Sequence, residues 1–136
     1  MIAYVDASVL LRIVLGEKDQ LSSWEEIDPV SSDLIRVECL RVIERYRRSD
    51  AFDDSVVAER RAAVLVLLQA FRLTGITESI LDRAADPFPT SVATLDALHL
   101  ATALELRQEF PGLEFVTHDV KLAMAARSMG FSVMGT

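Results

Sequence analysis

Two hydrophobic patterns alternate along this chain. Short apolar runs without helical spacing stand at residues 1–5, 113–117 and 131–134, while longer stretches place apolar residues three and four apart. The first pattern is that of buried strands, the second that of helices with one apolar face. On that basis residues 1–5 predict a strand and 7–15 a helix closed near Gly16. Residues 22–27 predict a short helix, and Pro29, Val30 and Ser31 a short strand or turn. Ser31 and Ser32 are N-cap candidates for a helix over 33–48. A second long helix covers 53–71, with Asp53 or Asp54 as its cap. Residues 71–76 predict a short strand, Thr77 caps a helix through Ala85, and Asp86-Pro87-Phe88-Pro89 is a clear break. A helix over 94–109 ends at Pro111-Gly112; a strand over 113–117, a helix over 120–128 with Gly130 behind it, and a strand over 131–134 follow.

Strands that alternate with helices predict an α/β fold, a parallel sheet with helices on both faces. In such sheets the sites form at the C-terminal ends of the strands. Asp6 and Asp119 each follow a predicted strand directly, so both belong on the same rim of the sheet although they lie far apart in sequence. The half-helix AAVLVLLQA, residues 62–70, is apolar almost all round, so it is either deeply buried or faces a partner. No repeat, low-complexity stretch or linker divides the chain, which reads as one domain over residues 1–136.

Composition narrows the function. With 51% hydrophobic residues the chain builds a sizeable core and is not disordered. A net charge of −7 excludes broad, sequence-blind coating of nucleic acid, which needs a basic surface. It leaves room for a nucleic-acid enzyme whose acidity is gathered around metal ions. Cys39 is the only cysteine, which rules out an intrachain disulfide and fits a reducing compartment. The N-terminus has no basic leader, and the longest apolar run, near residues 62–68, is too short to span a bilayer. A cytoplasmic protein without a membrane segment is expected.

Four carboxylates stand out. Asp6 ends the first strand and opens the first helix, which suits an N-cap, a metal ligand, or both, since one oxygen can cap while the other binds. Ser8 is placed to orient it or to hold a bound water. Glu38 lies in a largely apolar helix pattern, between Leu34 and Val42 and beside Val37 and Cys39. A carboxylate buried there without a partner would be costly, so it pairs with Arg41, reaches solvent, or serves a site. Glu44, among Arg41, Arg45, Arg47 and Arg48, reads instead as a solvated helix face. Asp96 is the strongest signal, because LDALHLATAL is nearly all apolar and small around it and demands a compensating cation or donors. Asp119 ends FVTHD and caps the next helix, with Thr117 or His118 to assist. Four such acids with no Cys/His ligand set point to hard divalent cations. His99 reads as a hydrogen-bonded packing histidine rather than a ligand. No HExxH, CxxC, phosphate-binding glycine loop or GxSxG elbow occurs, and Cys39 lacks a nearby base.

The order of these residues, with YVDASVLL at the start and LDALHLATAL followed by a strand, T-x-D, a helix and a G-F-x-V tail, resembles the PIN-domain ribonucleases. More narrowly it is similar to the VapC-type toxins of toxin–antitoxin pairs, over essentially the whole length. The resemblance implies a three-layer α/β/α fold with a parallel sheet of four to five strands. It implies Mg2+ or Mn2+ held by Asp6, Glu38, Asp96 and Asp119, with Ser8 and Thr117 as supporting hydroxyls, and hydrolysis of RNA phosphodiester bonds. It also implies a cognate antitoxin, and a homodimer or a hetero-oligomer with that antitoxin. Where many relatives carry a basic residue before the LDALH segment, Val92, Ala93 and Thr94 stand here. Arg12, Arg36, Arg41, Arg45, Arg47 and Arg48 are the candidates for steering phosphate. The rival functions are a PIN-type RNA-processing nuclease without an antitoxin and a non-catalytic PIN-like binding module. A phosphoacceptor domain on a similar sheet would need an acidic pair beside the first strand, where this chain is apolar.

Overall fold

The computed structural model describes residues 1–136. Its centre is β1 (Ile2–Val5), where Ala3, Tyr4 and Val5 are all fully buried. A strand covered on both faces has to be apolar throughout, which is why this run does not alternate with polar residues. Strand β2 (Asp28–Ser32) pairs with one edge of β1 and β4 (Glu114–Val116) with the other. Beyond them lie β3 (Arg72–Thr74) and β5 (Val133–Met134), giving five parallel strands in the order β3-β2-β1-β4-β5.

Pleating sends Ala3 and Val5 to one face and Tyr4 to the other. The first face packs on α1 (Ala7–Val14), α2 (Leu34–Arg48) and α3 (Asp54–Leu68), through Val9, Leu10, Ile35, Cys39, Ile43, Val57 and Val64. The second packs on α5 (Thr94–Glu109) and α6 (Val120–Ser128), where Tyr4, Val30, Leu100, Phe115, Leu122 and Phe131 meet. Helix α4 (Glu78–Ala85) lies against α5. The result is the predicted three-layer α/β/α arrangement, and its sheet has five strands. Full burial of each large aliphatic side chain contributes about 1.5–3 kcal/mol, so both faces are needed to hold the central strand.

Helices α5 and α6 have the predicted bounds, and Asp53 caps α3 by accepting from the Val56 amide at 2.9 Å. Residues 22–27 hold only one 3-10 turn, Trp24–Glu26. The outer strands are shorter than predicted because each is paired along one edge only. Ser31 and Ser32 are not helix caps by position, since both belong to β2. Ser31 Oγ donates to the carbonyl of Val5 at 2.8 Å, and Ser32 Oγ accepts from the Leu34 amide at 3.2 Å. The apolar half of α3 is split: Val64 and Leu68 are buried, whereas Leu65 and Val66 are 45% and 63% exposed. No helix is long and apolar enough to cross a membrane.

Candidate active site

Register builds the site. Val5 of β1 is the partner of Val116 of β4, and the ladder continues as the Asp6 amide donates to the Val116 carbonyl at 3.0 Å. The residues that leave these two strands, Asp6 and Thr117, are therefore neighbours at the C-terminal rim. The chain also reverses direction across the sheet here, since β2 and β4 flank β1 from opposite sides, and a crevice opens at such a point.

Two hydroxyls stitch the β1–α1 and β4–α6 turns together through Asp6. Ser8 Oγ donates to Asp6 Oδ2 at 2.6 Å and accepts from the His118 amide at 2.9 Å. Thr117 Oγ1 donates to the same oxygen at 3.0 Å and accepts from the Asp119 amide at 3.0 Å. The Ser8 amide adds a third donor at 3.2 Å, so Asp6 also caps α1. Asp119 caps α6 through Oδ1, which accepts from the Lys121 and Leu122 amides. Asp6 is buried, Asp119 is exposed, and Asp96 stands half-buried in the first turn of α5.

Glu38 does not pair with Arg41. Its Oε1 meets Nε2 of His99, a fully buried residue, and His99 Nδ1 lies 2.5 Å from the Tyr4 hydroxyl. Burial pushes the Tyr4 phenol far up, so it keeps its proton and, while the ring is neutral, donates to Nδ1. That leaves the Nε2 proton of the ring to point at Glu38. For the ring itself, burial opposes the positive charge, but the hydrogen bond and charge of Glu38, with Asp6 and Asp96, outweigh it and raise the pKa. His99 was predicted to be a packing histidine; it packs, and it also anchors one of the four acids. Tyr4, the single polar side chain in an otherwise apolar strand, was the sequence signal for this relay.

Asp96 feels both its burial and the other three acids. Its carboxyl is pushed up to about 6 by burial first, then by the negative charges of Asp6 and Asp119, with His99 opposing and Glu38 adding to the rise. A cation would relieve this repulsion. Hydrogen bonds from the chain reach only Oδ2 of Asp6, Oδ1 of Asp119 and Oε1 of Glu38, and neither oxygen of Asp96. Each acid thus keeps an oxygen for an ion or for water. No three His, Cys, Asp or Glu side chains converge into a ready-made cage. The donor set fits a hard ion that retains much of its water, as Mg2+ does, and does not fit one needing an all-protein shell. Burial, with the Glu38 and Asp6 charges behind it, pushes the Cys39 thiol up to about 12, so it is inert packing.

The arginines divide. Arg47 is paired with Glu44 and Asp54. Arg36, Arg41 and Arg48 are exposed on α2, whereas Arg12 and Arg45 line a hollow that also includes Ser8 and Asp119.

The sequence matches the family model of the PIN domain over residues 3–128. It is 30% identical to Ribonuclease VapC47 of Mycobacterium tuberculosis over 94% of this chain and 92% of that one. It is also 30% identical to Ribonuclease VapC46 of the same organism, over 96% and 95%. Among solved structures, a toxin–antitoxin complex from Klebsiella pneumoniae superposes with a TM-score of 0.65 at 17% identity, covering 97% of this chain and 95% of that one. A crystal structure from Pyrobaculum aerophilum gives 0.64 at 18%, covering 98% and 84%. At such identities the structures speak for the fold, and the fold agrees with the sequence matches. The chain belongs to the PIN-domain family, and relatives that match nearly its whole length are VapC ribonucleases.

Proposed function

We propose that this protein is a metal-dependent endoribonuclease toxin, one nuclease domain over residues 1–136, neutralised in the cytoplasm by a cognate antitoxin. The observation that carries the reading is the rim of four acids, each with an oxygen left free by the chain and with Asp96 raised by burial and then by the charges of the others. The names of the VapC relatives and of the toxin–antitoxin neighbour support it.

When bound, Mg2+ or Mn2+ supplies an activated water and offsets the charge that grows on the phosphate. Asp6, Asp96 and Asp119 are the residues that would hold it. Ser8 and Thr117 lock Asp6 Oδ2, so its other oxygen is presented in one direction. Asp119 is fixed through its cap and keeps Oδ2 for the ion. Asp96 has no such tether and can adjust to the substrate. Glu38, held by His99, completes the site through its second oxygen or orients the attacking water. The exposed Leu65 and Val66 on α3 suit contact with the antitoxin or a second copy of the chain.

Cleavage of bulk cellular RNA, with Mg2+ or Mn2+, with EDTA, and with Asp96→Asn alongside, tests the reading. Cutting is expected with metal and should fall by at least about a hundredfold in the variant, as when a group that positions the reacting atoms is lost. Undiminished cutting by a folded Asp96→Asn protein would overturn the assignment.

A further inference from the structure

The turn between β4 and α6 is tied to the segment behind β5 at three successive residues. The Thr117 amide donates to the Met134 carbonyl at 3.0 Å, and Nδ1 of His118 meets the Gly135 carbonyl at 2.7 Å. Arg127 of α6 donates to the Thr136 hydroxyl at 3.0 Å. A carbonyl only accepts, so His118 Nδ1 carries a proton and donates it. Strand β5 has two residues and one paired edge, so its ladder alone holds this segment weakly.

Gly135 makes the close approach possible. Its φ of +101° lies in the left-handed region, and a Cβ there would stand 2.5 Å from the Thr117 carbonyl oxygen and 3.3 Å from His118 Nδ1. The backbone of residue 135 therefore rests directly on the Thr117-His118-Asp119 turn.

The same turn holds the acids. The His118 amide donates to Ser8 Oγ at 2.9 Å, and Ser8 Oγ donates to Asp6 Oδ2 at 2.6 Å. Thr117 Oγ1 links Asp6 Oδ2 to the Asp119 amide. His118 thus faces two ways, with its amide toward Ser8 and Asp6 and its ring toward Gly135. The half-buried ring belongs to neither core cluster, and its Nε2 is buried without a partner in the chain. An apolar side chain would fill that space at less cost, so the Nδ1 bond is what a histidine adds there.

Resting on the nuclease reading, we propose that residues 134–136 latch the β4–α6 turn, with His118 and Gly135 as positioning residues for Asp6 and Asp119. The latch fixes the turn from the side away from Ser8, so the free oxygens of the two acids keep one spacing for a bound ion. Without the ring bond the turn relaxes and that spacing is lost.

Mn2+ affinity by calorimetry, with urea unfolding of the same proteins and cutting of bulk RNA at saturating Mn2+, tests the latch. His118→Ala and Gly135→Ala should each weaken Mn2+ binding about tenfold, the loss expected when a partner behind a metal ligand is removed. His118→Asn should recover most of it, because its amide N–H can take the place of Nδ1–H. The double variant should lose about as much as either single one, since both changes break the same bond. A purely structural latch would lower the urea midpoint and leave Mn2+ affinity level; that result overturns the positioning role, as do additive losses or an Asn variant no better than Ala. Wild-type cutting with level affinities overturns the latch alone. A wild type that neither binds Mn2+ nor cuts RNA overturns the nuclease reading and the latch with it.

Discussion

At Glu38 a half-buried carboxylate meets a histidine with no exposure, and the histidine in turn meets a tyrosine with none. Three polar groups in such a setting stand or fall together, because a lone buried donor or acceptor costs more than the bond it once made. His99→Leu should therefore lower stability by roughly 2–4 kcal/mol, as it strands the Tyr4 hydroxyl inside the second core. Tyr4→Phe alone should cost about 1 kcal/mol. The double variant should lose clearly less than the two single losses combined, since the stranded hydroxyl has gone. Urea unfolding of the four proteins measures this; strict additivity would mean that the relay is not a unit. The same side chains show what the residues disclosed by themselves. Asp96 announced itself, because an acid inside LDALHLATAL has no local partner. Glu38 left its partner open: helix spacing offers Arg41, whereas His99, 61 positions on, is the one the fold supplies. Nothing in a local window separates those two outcomes.

At the scale of elements, helix α3 carries the sharpest lesson. Its apolar half implied either burial or a partner; the structure buries Val64 and Leu68 in the core and leaves Leu65 and Val66 exposed. Leu68→Ala should thus behave as a core truncation and lose about 2–5 kcal/mol by urea unfolding. Leu65→Glu with Val66→Glu should stay within about 0.5 kcal/mol per site, as exposed changes do, yet alter self-association or antitoxin capture by light scattering. A large stability loss from the outward pair would place that face inside the fold. Helices α5 and α6 were legible to the residue because their periodicity is long and breakers flank them. Strand β2 was ambiguous because DPVSS has the composition of a turn or cap. It becomes a strand through Ser31, whose hydroxyl finds the Val5 carbonyl across the sheet, and that partner belongs to a segment 26 residues away. The strands that position Asp6 and Asp119 were readable as buried runs; their adjacency through the Val5–Val116 register is a property of the sheet alone.

The whole molecule couples the acidic rim to stability. Asp96 is raised from its ordinary 3.8 to about 6, so between those values the folded protein holds a proton that the unfolded chain has released. That contribution is complete below the lower value and is lost as pH climbs through the upper one. His99 acts in the same sense: raised above its ordinary 6.5, it stabilises the fold fully below that pH and gives the contribution up as pH rises through its folded value. Metal-free protein should therefore melt at a higher temperature at pH 5.5 than at pH 7.5. A cation held as proposed should favour the higher pH, because at pH 7.5 it would meet an ionised Asp96 and relieve the repulsion directly. At pH 5.5 it must displace a proton, which weakens its apparent affinity roughly fourfold for a group titrating near 6. The rise in Tm on adding Mg2+ should then be larger at pH 7.5, since a ligand of the native state stabilises it by RT ln(1 + [L]/Kd), which grows as Kd falls. Differential scanning calorimetry at both pH values, with and without MgCl2, reads all four states. If the increment with Mg2+ is the same at both, Asp96 does not share its charge with the ion, and the cation would have to sit on Asp6 and Asp119 at the junction of β1 and β4.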